Sequence, residues 1–219
     1  MNIEPVAYFR SPLKEKFGIP RQSGLAPSLE GEIRFVPPYD AAEAVRGLEG
    51  FDYCWIIWGF SLNEQGHSLT VRPPRLGGNE RVGVFASRSP FRPNGLGLSC
   101  VRIKSVNAGV VVVSGADLAD GTPVYDVKPY VRYADSRPEA RSGFVDDSAW
   151  EALEVVIPDE IAARLGKDEL DALTELLAQD PRPGYQDDPE RVYGLSYNDY
   201  NVRFSVACGK LFVHSLEKC

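Results

Sequence analysis

Gly97-Leu-Ser-Cys-Val-Arg-Ile-Lys-Ser-Val106, then Asn107-Ala-Gly109, then Val110-Val-Val-Val-Ser-Gly115: this stretch decides the fold class. Two runs rich in β-branched residues flank a short segment ending in glycine, which is the pattern of a tight antiparallel hairpin. Leu98, Cys100, Val101 and Ile103 only partly alternate, so the pairing is better specified than the exposed face. The same texture extends outward over most of the first 132 residues. Ile3–Phe9, Glu32–Val36, Tyr53–Phe60, Ser68–Val71, Val82–Ala86 and Val124–Lys128 are short β-prone runs separated by Gly, Pro, Asn or Asp. That spacing predicts a sandwich or barrel. One helix interrupts it: Asp40 is placed to cap Ala41–Leu48, with Glu43 completing a capping-box pattern.

Downstream, Ala134–Ser148 is rich in Asp, Ser, Arg and Gly and reads as a linker or long surface loop. A strand over Glu151–Ile157 follows. A helical stretch from Asp159 to about Gln179 has Leu170, Leu173, Leu176 and Leu177 on one face and a break at Gly166. Asp180-Pro181 ends it, because proline disfavours the α conformation in the residue before it. Arg191–Tyr197, Asn201–Ala207 and Leu211–Ser215 read as three antiparallel strands. The chain is thus expected to be mainly β, with one domain over residues 1–134 and a smaller α+β domain over 135–219.

Composition narrows the function. With 219 residues, 43% hydrophobic and 11% aromatic, the chain has the bulk for a core. Cys54–Phe60, the longest apolar run, is too short to span a bilayer, and Met1–Lys16 has no signal-peptide core, so a soluble cytoplasmic protein is expected. Cys54, Cys100, Cys208 and Cys219 lie far apart with only His67 and His214 to help them, which disfavours a metal site. Cys54 reads as a buried small hydrophobe.

The net charge of −7 is unevenly spread. Residues 1–132 carry 15 Lys/Arg against 13 Asp/Glu, and residues 133–219 carry 9 against 18. Arg72, Arg75, Arg81, Arg88 and Arg92 face only Glu80, enough to steer an anionic partner to that stretch. Neither histidine accompanies a nucleophile elbow, no phosphate-binding loop of the Gly-x-x-x-x-Gly-Lys type is present, and Gly95-Leu-Gly97 lacks a third glycine.

Two segments can carry chemistry. Arg72-Pro-Pro-Arg-Leu-Gly-Gly-Asn79 and Arg88-Ser-Pro-Phe-Arg-Pro-Asn-Gly-Leu-Gly-Leu-Ser99 are stiff, shaped loop, suited to presenting Arg, Asn and Ser to a ligand. In Asp180-Pro-Arg-Pro-Gly-Tyr185, two prolines bracket Arg182 and preset a carboxylate and a phenol, groups suited to proton removal and to stacking on a flat substrate.

Together with Arg10-Ser-Pro12, Pro20-Arg-Gln-Ser-Gly-Leu25, Ala44-Val-Arg-Gly-Leu-Glu49, Gly83-Val-Phe-Ala-Ser-Arg-Ser89, Asp120-Gly-Thr-Pro123 and Asp126-Val-Lys-Pro-Tyr130, these strings resemble the TrmO (TsaA-like) family of tRNA adenine methyltransferases over nearly the whole chain. The resemblance implies a β-barrel catalytic domain that binds S-adenosylmethionine outside a Rossmann fold, a homodimer, and N6-methylation of threonylcarbamoyl-adenosine beside the anticodon. It implies donor contacts, largely through backbone, at Gln22, Ser23, Gly24, Ser61, Leu62, Arg88, Leu98, Asp120, Gly121, Thr122 and Pro123. Asp180, Arg182, Tyr185 and Asn94 are the candidates for acting on the acceptor. Arg72, Arg75, Arg81 and Arg92 are the candidates for phosphate contacts. Two departures stand out: Ser61-Leu-Asn-Glu-Gln-Gly66 replaces a histidine-containing pattern, and Gly184 stands where relatives usually have alanine. A β-barrel that binds RNA without catalysis, and a small-molecule methyltransferase on the same scaffold, are the competing readings.

Overall fold

The computed structural model describes residues 2–63, 66–76, 80–147, 151–182 and 188–219, with only the backbone of Arg75. The chain runs β1 (Ala7–Arg10), β2 (Glu30–Phe35), α1 (Ala42–Val45), β3 (Tyr53–Gly59), β4 (Thr70–Val71), β5 (Val82–Gly83), β6 (Leu96–Asn107), β7 (Val110–Ser114) and β8 (Pro123–Pro129). Six of these strands close into an antiparallel barrel in the order β1-β2-β7-β6-β3-β8, while β4 and β5 form a two-stranded ribbon in the loop between β3 and β6. The β6–β7 hairpin turns through Ala108 and Gly109 with Asn107 paired to Val110, and Gly109 has φ +73°, a conformation that favours glycine. Its register shifts between Ile103 and Ser105, a bulge of the kind that lets a long strand bend around a barrel.

Alternation puts Phe9, Ile33, Cys54, Ile56, Trp58, Val101, Val111, Val113 and Val124 inside. Each fully buried Val, Ile or Phe contributes about 1.5–3 kcal/mol. Burial, joined by the nearby Cys100, pushes the Cys54 thiol up to about 12. In the native protein at pH 8 a thiol reagent is therefore expected to modify exposed Cys208 and Cys219 while Cys54 reacts only after unfolding, as counted by intact-mass spectrometry.

The second part of the chain holds α2 (Arg132–Asp135), β9 (Glu154–Val156), α3 (Asp159–Ala162), α4 (Lys167–Ala178), β10 (Tyr193–Tyr197), β11 (Tyr200–Ala207) and β12 (Lys210–Lys218). The sheet order is β10-β11-β12-β9, antiparallel except for the parallel β12–β9 pair. Gly166 does divide the helical stretch: the Glu169 carboxylate accepts its N–H at 3.2 Å at the start of α4. Leu173, Leu176 and Leu177 of α4 pack with Leu195, Val202, Phe204 and Leu211 of the sheet.

This second core also takes in Leu13, Ala26 and Leu29 from the connection between β1 and β2. Residues 11–29 thus leave the barrel, cross the second core and return.

Four expectations change. Asp40 does not cap α1: Ala41 holds the N-cap position without a side-chain bond, and the helix ends after one turn because Gly47 (φ +90°) redirects the chain. Val82–Ala86 is two residues of strand followed by a helical turn, since Val84 gives its N–H to the Leu69 carbonyl and takes that of Ser87. Pro5 offers no N–H to a ladder, so β1 starts at Ala7 rather than Ile3. Within Ser68–Val71 only Thr70–Val71 pairs as a strand.

Candidate active site

The loop 21–25 lies where the two chemistry-bearing segments meet. On the barrel side, the Arg88 guanidinium donates to Gln22 Oε1 at 2.5 Å, and Gly24 N–H donates to the Gly115 carbonyl at 2.8 Å. On the other side, Arg21 Nη2 donates to the Asp180 carbonyl and Gln179 Nε2 to the Leu25 carbonyl, both at 3.4 Å. Three residues later Ser28 N–H and Oγ–H donate to the two oxygens of Glu175 in α4, at 2.7 and 2.8 Å. Charge-assisted bonds of this kind are about twice as strong as neutral ones, so the loop is fixed from both directions.

A carboxylate that sequence reasoning missed sits at the centre. Asp117 accepts the Ser99 hydroxyl at 2.5 Å, and Ser99 in turn accepts the Trp58 indole N–H at 2.9 Å. Burial pushes the Asp117 carboxyl above the usual range. The Ser99 hydroxyl, the Ser23 N–H and the Arg88 charge pull it partly back. Asp117 is thus tied to the loop through the Ser23 N–H and lies in the field of Arg88, the residue that bonds Gln22. The signal available in the sequence was a lone Asp between Ala116 and Leu118 directly after a valine strand.

Trp58 holds this chain in place by lying across Gly97, where an added Cβ would come within 2.4 Å of the indole ring. Gly97→Ala is therefore expected to cost about 1–3 kcal/mol, as overpacking does. In a chain of this size each kcal/mol lowers the melting midpoint by roughly 2–4 °C, readable by circular dichroism.

The remaining donor candidates are placed as follows. The Asp120–Pro123 turn is sewn to β1 and the residues after it. Asp120 accepts Ser11 N–H at 3.1 Å and Arg10 Nη1 at 3.4 Å, while the Asp120 and Gly121 amides donate to the carbonyls of Leu13 and Phe9, both at 2.8 Å. Thr122 is buried. Those two amides are spent within the chain. Leu98 shares β6 with Ser99, but its side chain leaves on the outer face of the barrel, so its backbone is what can serve the site. Ser61 and Leu62 form an exposed turn after β3.

Asp180 stands at φ +48°, and Arg182 grips its carboxylate with two parallel bonds, Nε to Oδ1 at 2.8 Å and Nη2 to Oδ2 at 2.9 Å, both side chains largely buried. Tyr185 lies outside the described residues. Asn94 is exposed in the turn that closes with Gly95 N–H on the Arg92 carbonyl at 3.2 Å. Of the arginines, Arg72 is exposed, Arg81 is exposed and donates to Thr70 Oγ1 at 2.9 Å, and the Arg75 side chain is not described. Arg92 turns inward, donating to the Ser87 carbonyl at 2.7 Å. Among the described residues no group of three or more His, Cys, Asp or Glu could hold a metal, and no helix is long and apolar enough to cross a membrane.

Residues 8–136 match the model of the tRNA-methyltransferase O N-terminal domain, and residues 151–219 match the TrmO C-terminal domain. The chain belongs to the TrmO family. It is 43% identical over 227 residues to the tRNA (adenine(37)-N6)-methyltransferase of Escherichia coli K12, covering 98% of this chain and 97% of that protein. It is also 43% identical to a putative S-adenosylmethionine-dependent methyltransferase, RcsF, of Pseudomonas aeruginosa, covering 93% and 91%. A crystal structure of TrmO from Pseudomonas aeruginosa superposes with a TM-score of 0.83 at 33% identity, over 99% of this chain and 97% of that one. The TrmO membership and the mainly β fold expected from the sequence both hold.

Proposed function

We propose that this chain is a cytoplasmic, homodimeric methyltransferase that uses S-adenosylmethionine to methylate N6 of threonylcarbamoyl-adenosine beside the anticodon of tRNA. Residues 1–134 would form the donor-binding catalytic domain, and 135–219 the domain that brings Asp180 and its neighbours to the acceptor. The observation that carries this reading is the loop 21–25, bonded to Arg88 and Gly115 on one side and to Asp180 and Gln179 on the other.

The residues fit the donor. Its amino-acid end carries a carboxylate and an ammonium beside the sulfonium, groups that suit the Arg88 guanidinium, which bonds Gln22, and the Asp117 carboxyl, which accepts the Ser23 N–H. Gln22, Ser23, Gly24, Arg88 and Asp117 would hold it, with Ser61, Leu62, Leu98 and the Asp120–Pro123 turn supplying backbone. When bound, the donor supplies an electrophilic methyl group on sulfur, and acceleration then comes chiefly from alignment.

The chain's own residues act on the acceptor. The N6 nitrogen is conjugated with the purine and with a carbonyl, so it is a weak nucleophile, and losing its proton as the new bond forms strengthens it. Asp180 takes that hydrogen bond or proton. Arg182 holds its carboxylate in a fixed orientation: Oδ1 accepts both Arg182 Nε at 2.8 Å and the Arg182 backbone N–H at 3.3 Å, so Oδ2, which accepts Nη2, is the oxygen left to face the substrate. Asn94 orients the carbamoyl group, Tyr185 stacks on the purine, and Arg72, Arg75, Arg81 and Arg92 serve the phosphates, Arg92 chiefly by shaping its loop.

The test is ligand-dependent melting. S-adenosylmethionine or its demethylated product, at about 100 times the dissociation constant, adds roughly 2.7 kcal/mol. At roughly 2–4 °C per kcal/mol the expected rise is clear of noise. NAD and ATP are expected to give none. No shift with a saturating S-adenosyl compound removes the donor site.

A further inference from the structure

Leu69 and Phe85 leave 82% and 76% of their surface exposed, the largest values among the apolar side chains of the loop between β3 and β6. Single exposed hydrophobes are common and need no cause. These two stand on adjoining backbones, since Val84 N–H donates to the Leu69 carbonyl at 3.0 Å.

The turn that carries Phe85 is held rigid. Val84 is buried beneath it. Ser87 donates twice to the Val84 carbonyl, from its N–H at 3.3 Å and its hydroxyl at 2.9 Å. Arg92 Nη1 donates to the Ser87 carbonyl at 2.7 Å, and its guanidinium carbon lies 5.8 Å from the centre of the Phe85 ring. The ring is therefore aimed into solvent with a cation near it. Exposed Arg72 and Arg81 lie on the same loop, and Arg88, three residues on, reaches Gln22 of the donor loop.

A preset aromatic among cations, joined by one short turn to a reaction centre, suits one kind of occupant. Unpaired bases stack on aromatic side chains whatever their identity, and arginines track the phosphates that connect them. The geometry points to Phe85 as a stacking platform for an unpaired RNA base next to the one being modified, with Arg92 stiffening the platform and Arg81 on the backbone. This rests on the reading of the site as one that works on tRNA. The Phe85 ring carries little of the fold's burial, so Phe85→Ala leaves the barrel intact.

The experiment measures binding, not methyl transfer, with an anticodon stem–loop RNA hairpin that carries only plain adenosine, beside an RNA duplex of equal length. Phe85→Ala is expected to weaken hairpin binding by about 5- to 150-fold, the usual worth of one stacked base, and to leave duplex binding unchanged. Phe85→Trp restores the hairpin affinity. Arg81→Ala instead reduces the slope of log affinity against log salt by about 0.7, while Phe85→Ala leaves that slope alone. The inference is overturned if Phe85→Ala binds the hairpin like the parent, or if it weakens the duplex equally. It is also overturned if sedimentation shows that the substitution dissociates an assembly of the chain, because the face is then a contact between copies. The hairpin lacks the threonylcarbamoyl group and no transfer is scored, so a failure of the proposed reaction leaves this result standing, and the reverse also holds.

Discussion

A tRNA that already carries threonylcarbamoyl-adenosine beside its anticodon is expected to accept a methyl group, and the same transcript with plain adenosine to give almost none. The arginines of the loop between β3 and β6 attract an anion, but contacts to phosphate carry no information about which base is present. Selection needs groups that read the base's own substituents. The threonylcarbamoyl group offers a carboxylate and a urea-like linkage, partners for paired hydrogen bonds from arginine and asparagine. Exposed Asn94 is a candidate reader. A site built to bond such a group rejects an analogue lacking it by a factor on the order of 10⁴, because its own polar atoms are left unpaired. The measurement is incubation of both tRNAs with donor, digestion to nucleosides and mass analysis. Equal methylation of the two removes the substrate assignment and spares the methyltransferase. Methylation of neither, with donor bound, favours a small-molecule acceptor.

Asp180→Asn is expected to cut single-turnover rate by about 10²–10⁴-fold while the donor dissociation constant stays within about twofold, the range typical of losing general-base assistance. Arg88→Ala is expected to do the reverse, weakening donor binding at its contact with Gln22 while the unliganded melting curve hardly moves. Asp180 makes the sharper test because Arg182 grips both of its oxygens. Asparagine keeps an oxygen for one of those bonds and loses the charge, so a stability cost accompanies the substitution and is read separately by melting. If the Asn variant turns over normally, Asp180 has no part in proton transfer.

The fold was legible where local pattern and final structure agree. The run Gly97–Gly115 becomes the β6–β7 hairpin, and the leucines of α4 become the underside of the second sheet, because periodicity of two or near four maps directly onto buried faces. What escaped was decided by distant partners. Asp117 looks like any surface carboxylate until burial takes it from water and Ser99 and Ser23 bond to it. Arg92 reads as one more basic loop residue, yet its fork folds back on Val84 and Ser87. Asp40 and Glu43 satisfy a capping pattern whose helix Gly47 cuts to a single turn. The prolines of Arg72–Ser99 and Asp180–Tyr185 make their stiffness legible, but the loop 21–25 that joins their surroundings has no such stiffness of its own. It is held by Arg88, Gly115, Asp180 and Gln179, with Ser28 just beyond it bonded to Glu175.

The detour of residues 11–29 through the second core also has a consequence for a chain still on the ribosome. Ser28 and the Glu175 carboxylate that holds it are 147 positions apart, and Leu13 and Leu29 wait equally long for the leucines of α4. At translation rates of about 5–20 residues per second, that interval is roughly 7–30 s. Through it the barrel can pair its strands, since β8 is made well before α4, but the loop 21–25 has only one of its two sides to rest on. A nascent chain halted before α4 is therefore a closed barrel with an unset loop, exposing leucines that a chaperone can recognise until synthesis is nearly over.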